Sequence, residues 1–174
     1  MKKFVRFIKE HIDDPFGEEI WEEESMFMQY IRMFETPLEK ITYVDLENRN
    51  LENLDGIKKL KNLEILFCDH NKLENIDEVQ FCEKIEYLDI DNNKITNIDF
   101  IENLKELKEL RFSYNKLENI DIIKKLKKLE MITFDHNNFS KEYENELKEY
   151  LIKNNIVYWD IDLKKWYPHS RTTS

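Results

Sequence analysis

Residues 85–106 read IEYLDIDNNKITNIDFIENLKE, and their apolar pattern recurs every 22 positions to either side. Segments starting at Ile41, Leu63, Ile85, Leu107 and Leu129 read ITYVDLENRNL, LEILFCDHNKL, IEYLDIDNNKI, LKELRFSYNKL and LEMITFDHNNF. Their common frame is LxxLxLxxNxL. Four of the five continue with apolar residues at the fourteenth, seventeenth and twentieth positions: Leu54, Ile57, Leu60; Ile76, Val79, Cys82; Ile98, Ile101, Leu104; Ile120, Ile123, Leu126. The triplets Val44-Asp45-Leu46 and Leu88-Asp89-Ile90 alternate apolar and polar side chains, as a strand buried on one face must. A unit this short cannot enclose its own apolar edge, so stacked copies have to bury it as one continuous core.

In these residues the sequence resembles the leucine-rich-repeat family, and is most similar to the 22-residue subclass found in a regulatory subunit of type-1 protein phosphatase and in many bacterial proteins. The resemblance covers Ile41 to about Phe139. It implies an α/β fold: a right-handed solenoid with a parallel sheet on its concave side and short helical or 3₁₀ turns outside. Asn71, Asn93, Asn115 and Asn137 recur where the chain leaves each strand, and their amides are suited to satisfying backbone groups of neighbouring turns. The first repeat carries Arg49 there, so this ladder is expected to fail at the N-terminal edge.

An open solenoid needs caps. Residues 1–40 are expected to form a helical N-terminal cap, with Met1, Val5, Ile8 and Ile12 on one stripe and Phe27, Tyr30, Ile31 and Phe34 on a second. Residues 41–139 hold the five repeats. Residues 140–167 read as a C-terminal cap: Ser140 begins a helix that buries Tyr143, Leu147 and Tyr150/Leu151, and Ile156–Trp159 follows as the last edge strand. Residues 168–174 read as a frayed tail, and the whole of 1–174 as a single domain.

Charged residues make up 37% of the chain and the formal net charge is -10. A protein that grips nucleic acid by neutralising phosphates shows a basic excess, so direct DNA, RNA or anionic-membrane binding is not expected, and a basic partner fits better. The start, MKKFVRFIKEHIDD, lacks the apolar run of a leader peptide, and no stretch approaches the roughly 18 apolar residues of a membrane span. Cys68 and Cys82 fall on core positions, as reduced residues of a cytoplasmic protein would.

If the fold is as the resemblance implies, the third, fifth, seventh and eighth positions of each repeat face the concave side. The third-position column is Tyr43, Ile65, Tyr87, Glu109, Met131, and the fifth is Asp45, Phe67, Asp89, Arg111, Thr133. The seventh is Glu47, Asp69, Asp91, Ser113, Asp135, and the eighth is Asn48, His70, Asn92, Tyr114, His136. Acids outnumber the one arginine, and Glu47, Asp69 and Asp91 fall on consecutive strands about 4.8 Å apart. Stacked like charges disfavour a sheet unless a cation relieves them. Tyr43, Ile65, Phe67, Tyr87 and Met131 offer apolar bulk that a merely solvated face does not need. Aromatic anchors ringed by acids suit a protein-binding surface, with Tyr114, His136, Tyr158 and Trp159 as contributors at its C-terminal rim.

Other chemistries find less support. Asp69/His70 and Asp135/His136 are candidate metal pairs, but no compact His/Cys/carboxylate set is expected, and no metal or cofactor is. There is no phosphate loop, nucleophile elbow or HExxH, and the acidic run Glu18–Glu24 spreads over more than one helical face. The basic segment Lys124 to Glu130 reads as a solvated convex face. The sequence therefore predicts a non-enzymatic, monomeric protein-binding module. Its expected role is as an immunity-type inhibitor of a toxin or enzyme, or alternatively as a regulatory adaptor of a phosphatase-like enzyme.

Overall fold

In a computed structural model of the chain, residues 37–161 and 163–167 are described. The predicted N-terminal cap lies outside them except for a 3₁₀ turn at Leu38–Lys40, as does the predicted tail. Among the described residues, seven strands form one sheet in chain order: β1 Tyr43–Asp45, β2 Ile65–Phe67, β3 Tyr87–Asp89, β4 Glu109–Arg111, β5 Met131–Thr133, β6 Val157–Asp160 and β7 Lys165–Tyr167. The first six run parallel, and β1 to β5 pair in the register of the 22-residue period, Tyr43 beside Ile65 beside Tyr87 beside Glu109 beside Met131.

The core follows the repeat frame. Val44, Leu66, Leu88, Leu110 and Ile132 point inward at the centre of each strand, with Leu46, Cys68, Ile90, Phe112 and Phe134 two residues on, all buried. Short 3₁₀ turns at Ile57–Lys59, Asp77–Phe81, Asp99–Asn103 and Asp121–Lys125 close the convex side and bury Ile57, Val79, Ile101 and Ile123. Both cysteines are buried free thiols.

The asparagine ladder forms. Asn93 donates through Nδ2 to the carbonyls of Cys68, Ile90 and Asp91 and accepts from the Leu73 amide, at 3.0–3.2 Å. Asn115 repeats this one turn on. The row starts at Asn71, which serves the first repeat by accepting from the Arg49 and Leu51 amides.

At the C-terminal end Ser140 Oγ caps helix α1 (Lys141–Lys153) by accepting from the Tyr143 amide at 3.1 Å, and Leu147 and Leu151 are buried against the last repeat. One expectation is corrected here. The strand at residues 157–160 is not the edge, because the chain turns back after it and β7 adds antiparallel, Trp159 beside Trp166 and Tyr158 beside Tyr167.

Candidate functional site

Strand alternation sends the third and fifth positions to the concave side, and the side chains of Tyr43, Ile65, Phe67, Tyr87, Glu109, Arg111 and Met131 are half-buried there. Tyr43 and Phe67 meet edge to face, ring centroids 5.8 Å apart. Tyr87 joins them through Ile65, its neighbour in register. This apolar patch occupies the first three strands.

A second one closes the other end. The register that places Tyr158 beside Ile132 sends it to the core, where it is 2% exposed and packs on Phe134 and Tyr167. Tyr158 is therefore not a rim residue, contrary to the sequence expectation. Its neighbour Trp159 takes the concave side and meets Trp166 at 5.3 Å, ring edge on face. Trp166 is 41% exposed, and sequence reasoning missed it. The signal was present, in the alternation of Tyr158-Trp159 against Trp166-Tyr167 across a short turn.

Between the aromatic ends lies a charged strip. Asp45 and Asp89 each fold back to accept from the amide two residues on, Glu47 at 3.1 Å and Asp91 at 3.0 Å. Asp91 Oδ1 accepts from the Ser113 amide at 2.5 Å. Asp89 is only 9% exposed, and burial, reinforced by Asp69 and Glu109, pushes its carboxyl up to about 6 against the opposing pull of the Asp91 amide and Arg111. Burial together with Asp89 pushes Asp91 up to about 7. Burial likewise carries Asp135 to about 6 against the pull of His136 and Lys148. Arg111 answers this charge from the middle of the strip: its Nε donates to Glu109 Oε1 at 2.6 Å, and its Nη1 lies 4.0 Å from Asp89.

The eighth-position column has a backbone role that composition hid. Asn48, His70, Asn92, Tyr114 and His136 all stand in the left-handed region, φ 53–57°. Asparagine tolerates that region better than most residues, which accounts for Asn48 and Asn92 without any partner. Tyr114 is the unfavourable member and lies flat on His136.

The same backbone turn corrects the metal expectation. At φ 55° the His70 ring turns back over its own repeat, Nδ1 2.8 Å from Asp69 Oδ2. Glu47 stands beside Asp69 in the neighbouring repeat, and one ligand atom from each of the three residues lies within 4.8 Å of the others. A compact His/carboxylate set therefore exists. The Asp135/His136 pair forms no such set among the described residues.

Three lysines of the convex basic segment are paired. Lys124, Lys125 and Lys128 pair with Asp121, Glu102 and Glu106, the last two from the preceding repeat. A shallow convex groove between the second and third repeats is lined by Glu74, Asp77, Asp99 and Glu102 among others, and its Asn75 and Asn97 bond the Asp77 and Asp99 amides.

Comparison with known proteins agrees with this geometry. A family model described as leucine-rich repeats (2 copies) matches residues 61–105 and 83–119. Internalin C2 from Listeria monocytogenes is 27% identical over 59% of this chain and 46% of its own, with a TM-score of 0.58. A leucine-rich-repeat protein from Leptospira interrogans is 25% identical over 66% of this chain and 30% of its own, with a TM-score of 0.61. The functional domain of InlJ from Listeria monocytogenes, which includes a cysteine ladder, shares the fold at 24% identity over 69% of this chain and 24% of its own, with a TM-score of 0.57. This chain thus spans less than half the length of these structures. No curated protein sequence matches it. Residues 61–119 thus match leucine-rich repeats in sequence, and the fold is that of a leucine-rich-repeat solenoid. No described helix is long and apolar enough to cross a membrane.

Proposed function

We propose that the concave face holds one basic or mixed-charge protein, and that the chain acts as a monomeric, cytoplasmic, immunity-type inhibitor of a toxin or enzyme rather than as a catalyst. One observation carries the reading: two aromatic patches, Tyr43–Phe67 and Trp159–Trp166, stand at opposite ends of an acid-rich strip on one face. Apolar anchors at both ends provide contact area, and the acids between them favour a cationic surface and steer its approach. Seven strands at about 4.8 Å span roughly 29 Å, enough for a partner contact approaching the usual ~800 Å² when the rims contribute. A target that itself acts on nucleic acid has a basic active site, which suits a net charge of -10. The two buried free thiols fit a reducing compartment.

The test is affinity capture with the wild-type chain beside a Tyr43/Phe67/Tyr87→Ala variant shown to remain folded. The variant should lose the partner that the wild type retains, and retention should weaken with ionic strength. Equal recovery of the same partner by both proteins overturns the concave-face assignment.

A further inference from the structure

We propose that Glu47, Asp69 and His70 form a binding site for one divalent transition-metal ion of the zinc type. The backbone brings the three together. Hydrogen bonds from the Asn48 amide to the Asp69 carbonyl and from the His70 amide to the Asp91 carbonyl, both 3.0 Å, continue the parallel ladder past the strands. They hold the seventh positions of neighbouring repeats side by side, so Glu47 and Asp69 cannot drift apart. The left-handed backbone at His70 then folds the imidazole over Asp69.

The donor set favours zinc or a neighbouring ion over magnesium or calcium. An imidazole is a poor ligand for the hard ions and a good one for zinc, nickel and cobalt, and two carboxylates supply the compensating charge. Ligand atoms of a zinc ion lie about 2.0–2.2 Å from it and hence roughly 3–3.5 Å from one another. The three donors already lie within 4.8 Å of each other, and Glu47 and His70 are exposed, so side-chain rotation alone can close the set. The ion would take the place of the proton that now joins Nδ1 to Oδ2, with water completing its coordination. It would also relieve the repulsion between the stacked carboxylates.

The molecule contains its own comparison. The fifth repeat carries the same Asp-His pair, Asp135 and His136, with the same left-handed histidine. The repeat before it presents Ser113 where Glu47 precedes Asp69, and the His136 imidazole is stacked on Tyr114 at 4.0 Å. The third ligand and the free ring face occur together only in the second repeat. The sequence pairs look alike, yet the neighbouring repeat separates them.

Titration of the full chain with zinc chloride, read by calorimetry and by the His70 imidazole resonances, tests the site independently of any protein partner. One saturable equivalent and a shift confined to the His70 ring are expected. His70→Asn keeps the left-handed backbone, since Asn48 and Asn92 hold the equivalent positions. It and Glu47→Gln should each weaken binding by at least about 10–100-fold, the loss expected for removing even an outer-shell partner, while His136→Asn should leave it unchanged. The proposal is overturned by the absence of saturable binding, by binding that neither His70→Asn nor Glu47→Gln weakens, or by magnesium binding as tightly as zinc.

Discussion

Tyr114 lies flat against His136, ring centroids 4.0 Å apart and planes 11° from parallel, and both residues occupy the left-handed region at φ 56° and 57°. A tyrosine there costs about 1–2 kcal/mol relative to a conformation it prefers, and the stacked pair returns about 0.5–1.5 kcal/mol. The two effects nearly cancel. Tyr114→Asn should therefore change stability by less than about 1 kcal/mol, because lost stacking is offset by relieved backbone strain. A double-mutant cycle with His136→Ala, read by urea unfolding, should give a coupling of about 0.5–1.5 kcal/mol. A coupling indistinguishable from zero would remove the stack from the account.

The asparagine ladder predicts a sharper loss. Asn93 is buried, and its single amide group satisfies three carbonyls and one N–H from two turns. Asn93→Ala leaves the buried Leu73 amide without its acceptor and takes one donor from each carbonyl, which Asn71, Asn115 and the His70 amide still serve, at a cost of about 1–3 kcal/mol. Asn93→Asp should cost at least as much, because an ionised carboxylate accepts from Leu73 but donates to no carbonyl. Chemical denaturation of both variants decides the point, and tolerance of aspartate would mean that shape rather than donation holds the turn.

These two cases mark what the sequence could and could not reveal. The apolar period fixes the strands because a strand with one buried face and a short convex turn leaves only one register for Leu66, Leu88 and Leu110. Asn93 and Asn115 are recognisable because a carboxamide offers two donors and an acceptor together, the set a buried turn of this kind needs. The left-handed column was hidden, since Asn48 and Asn92 look like ordinary surface residues until φ is known. The Glu47–Asp69–His70 set needs strand register and that backbone turn at once, and neither is visible in one repeat. Strand β7 was missed because Lys165–Tyr167 lies outside the periodicity and is held by one partner strand. Tyr158 was misplaced for the same reason: facing is settled by pairing with β5, not by the repeat frame.

Stability should depend on pH through the charged strip. Asp91 rises to about 7 and Asp89 to about 6 on folding, chiefly through burial. A carboxyl that holds its proton more tightly when folded favours the fold most below its unfolded value near 4, and that advantage is lost as pH rises through the folded value. The strip therefore weakens the fold between about pH 4 and 7. Asn at position 91 keeps an oxygen to accept from Ser113 and carries no charge. Asp91→Asn should be more stable than wild type by about 1–3 kcal/mol at pH 8 and equal to it near pH 4. Thermal unfolding at the two pH values checks this, and an equal gain at both would point to a cause other than ionisation.

The C-terminal hairpin separates structural from binding roles. Trp166 crosses to Trp159 on the concave side while staying 41% exposed, so a cross-strand pair of this kind contributes only about 0.2–1 kcal/mol to the fold. A large indole left that accessible beside an acidic strip is better placed to serve as an anchor than as core. Trp166→Ser should consequently lower the unfolding midpoint slightly while weakening retention of a concave-face partner by tenfold or more, the scale of an interface hot spot. Tyr158→Ser, one residue from Trp159 but facing inward against Phe134, should do the reverse in degree and lose several kcal/mol of stability. Measured side by side, the two substitutions distinguish an interface that extends over the hairpin from one confined to the first three strands. In the confined case, Trp166→Ser retains the partner as well as the wild type does.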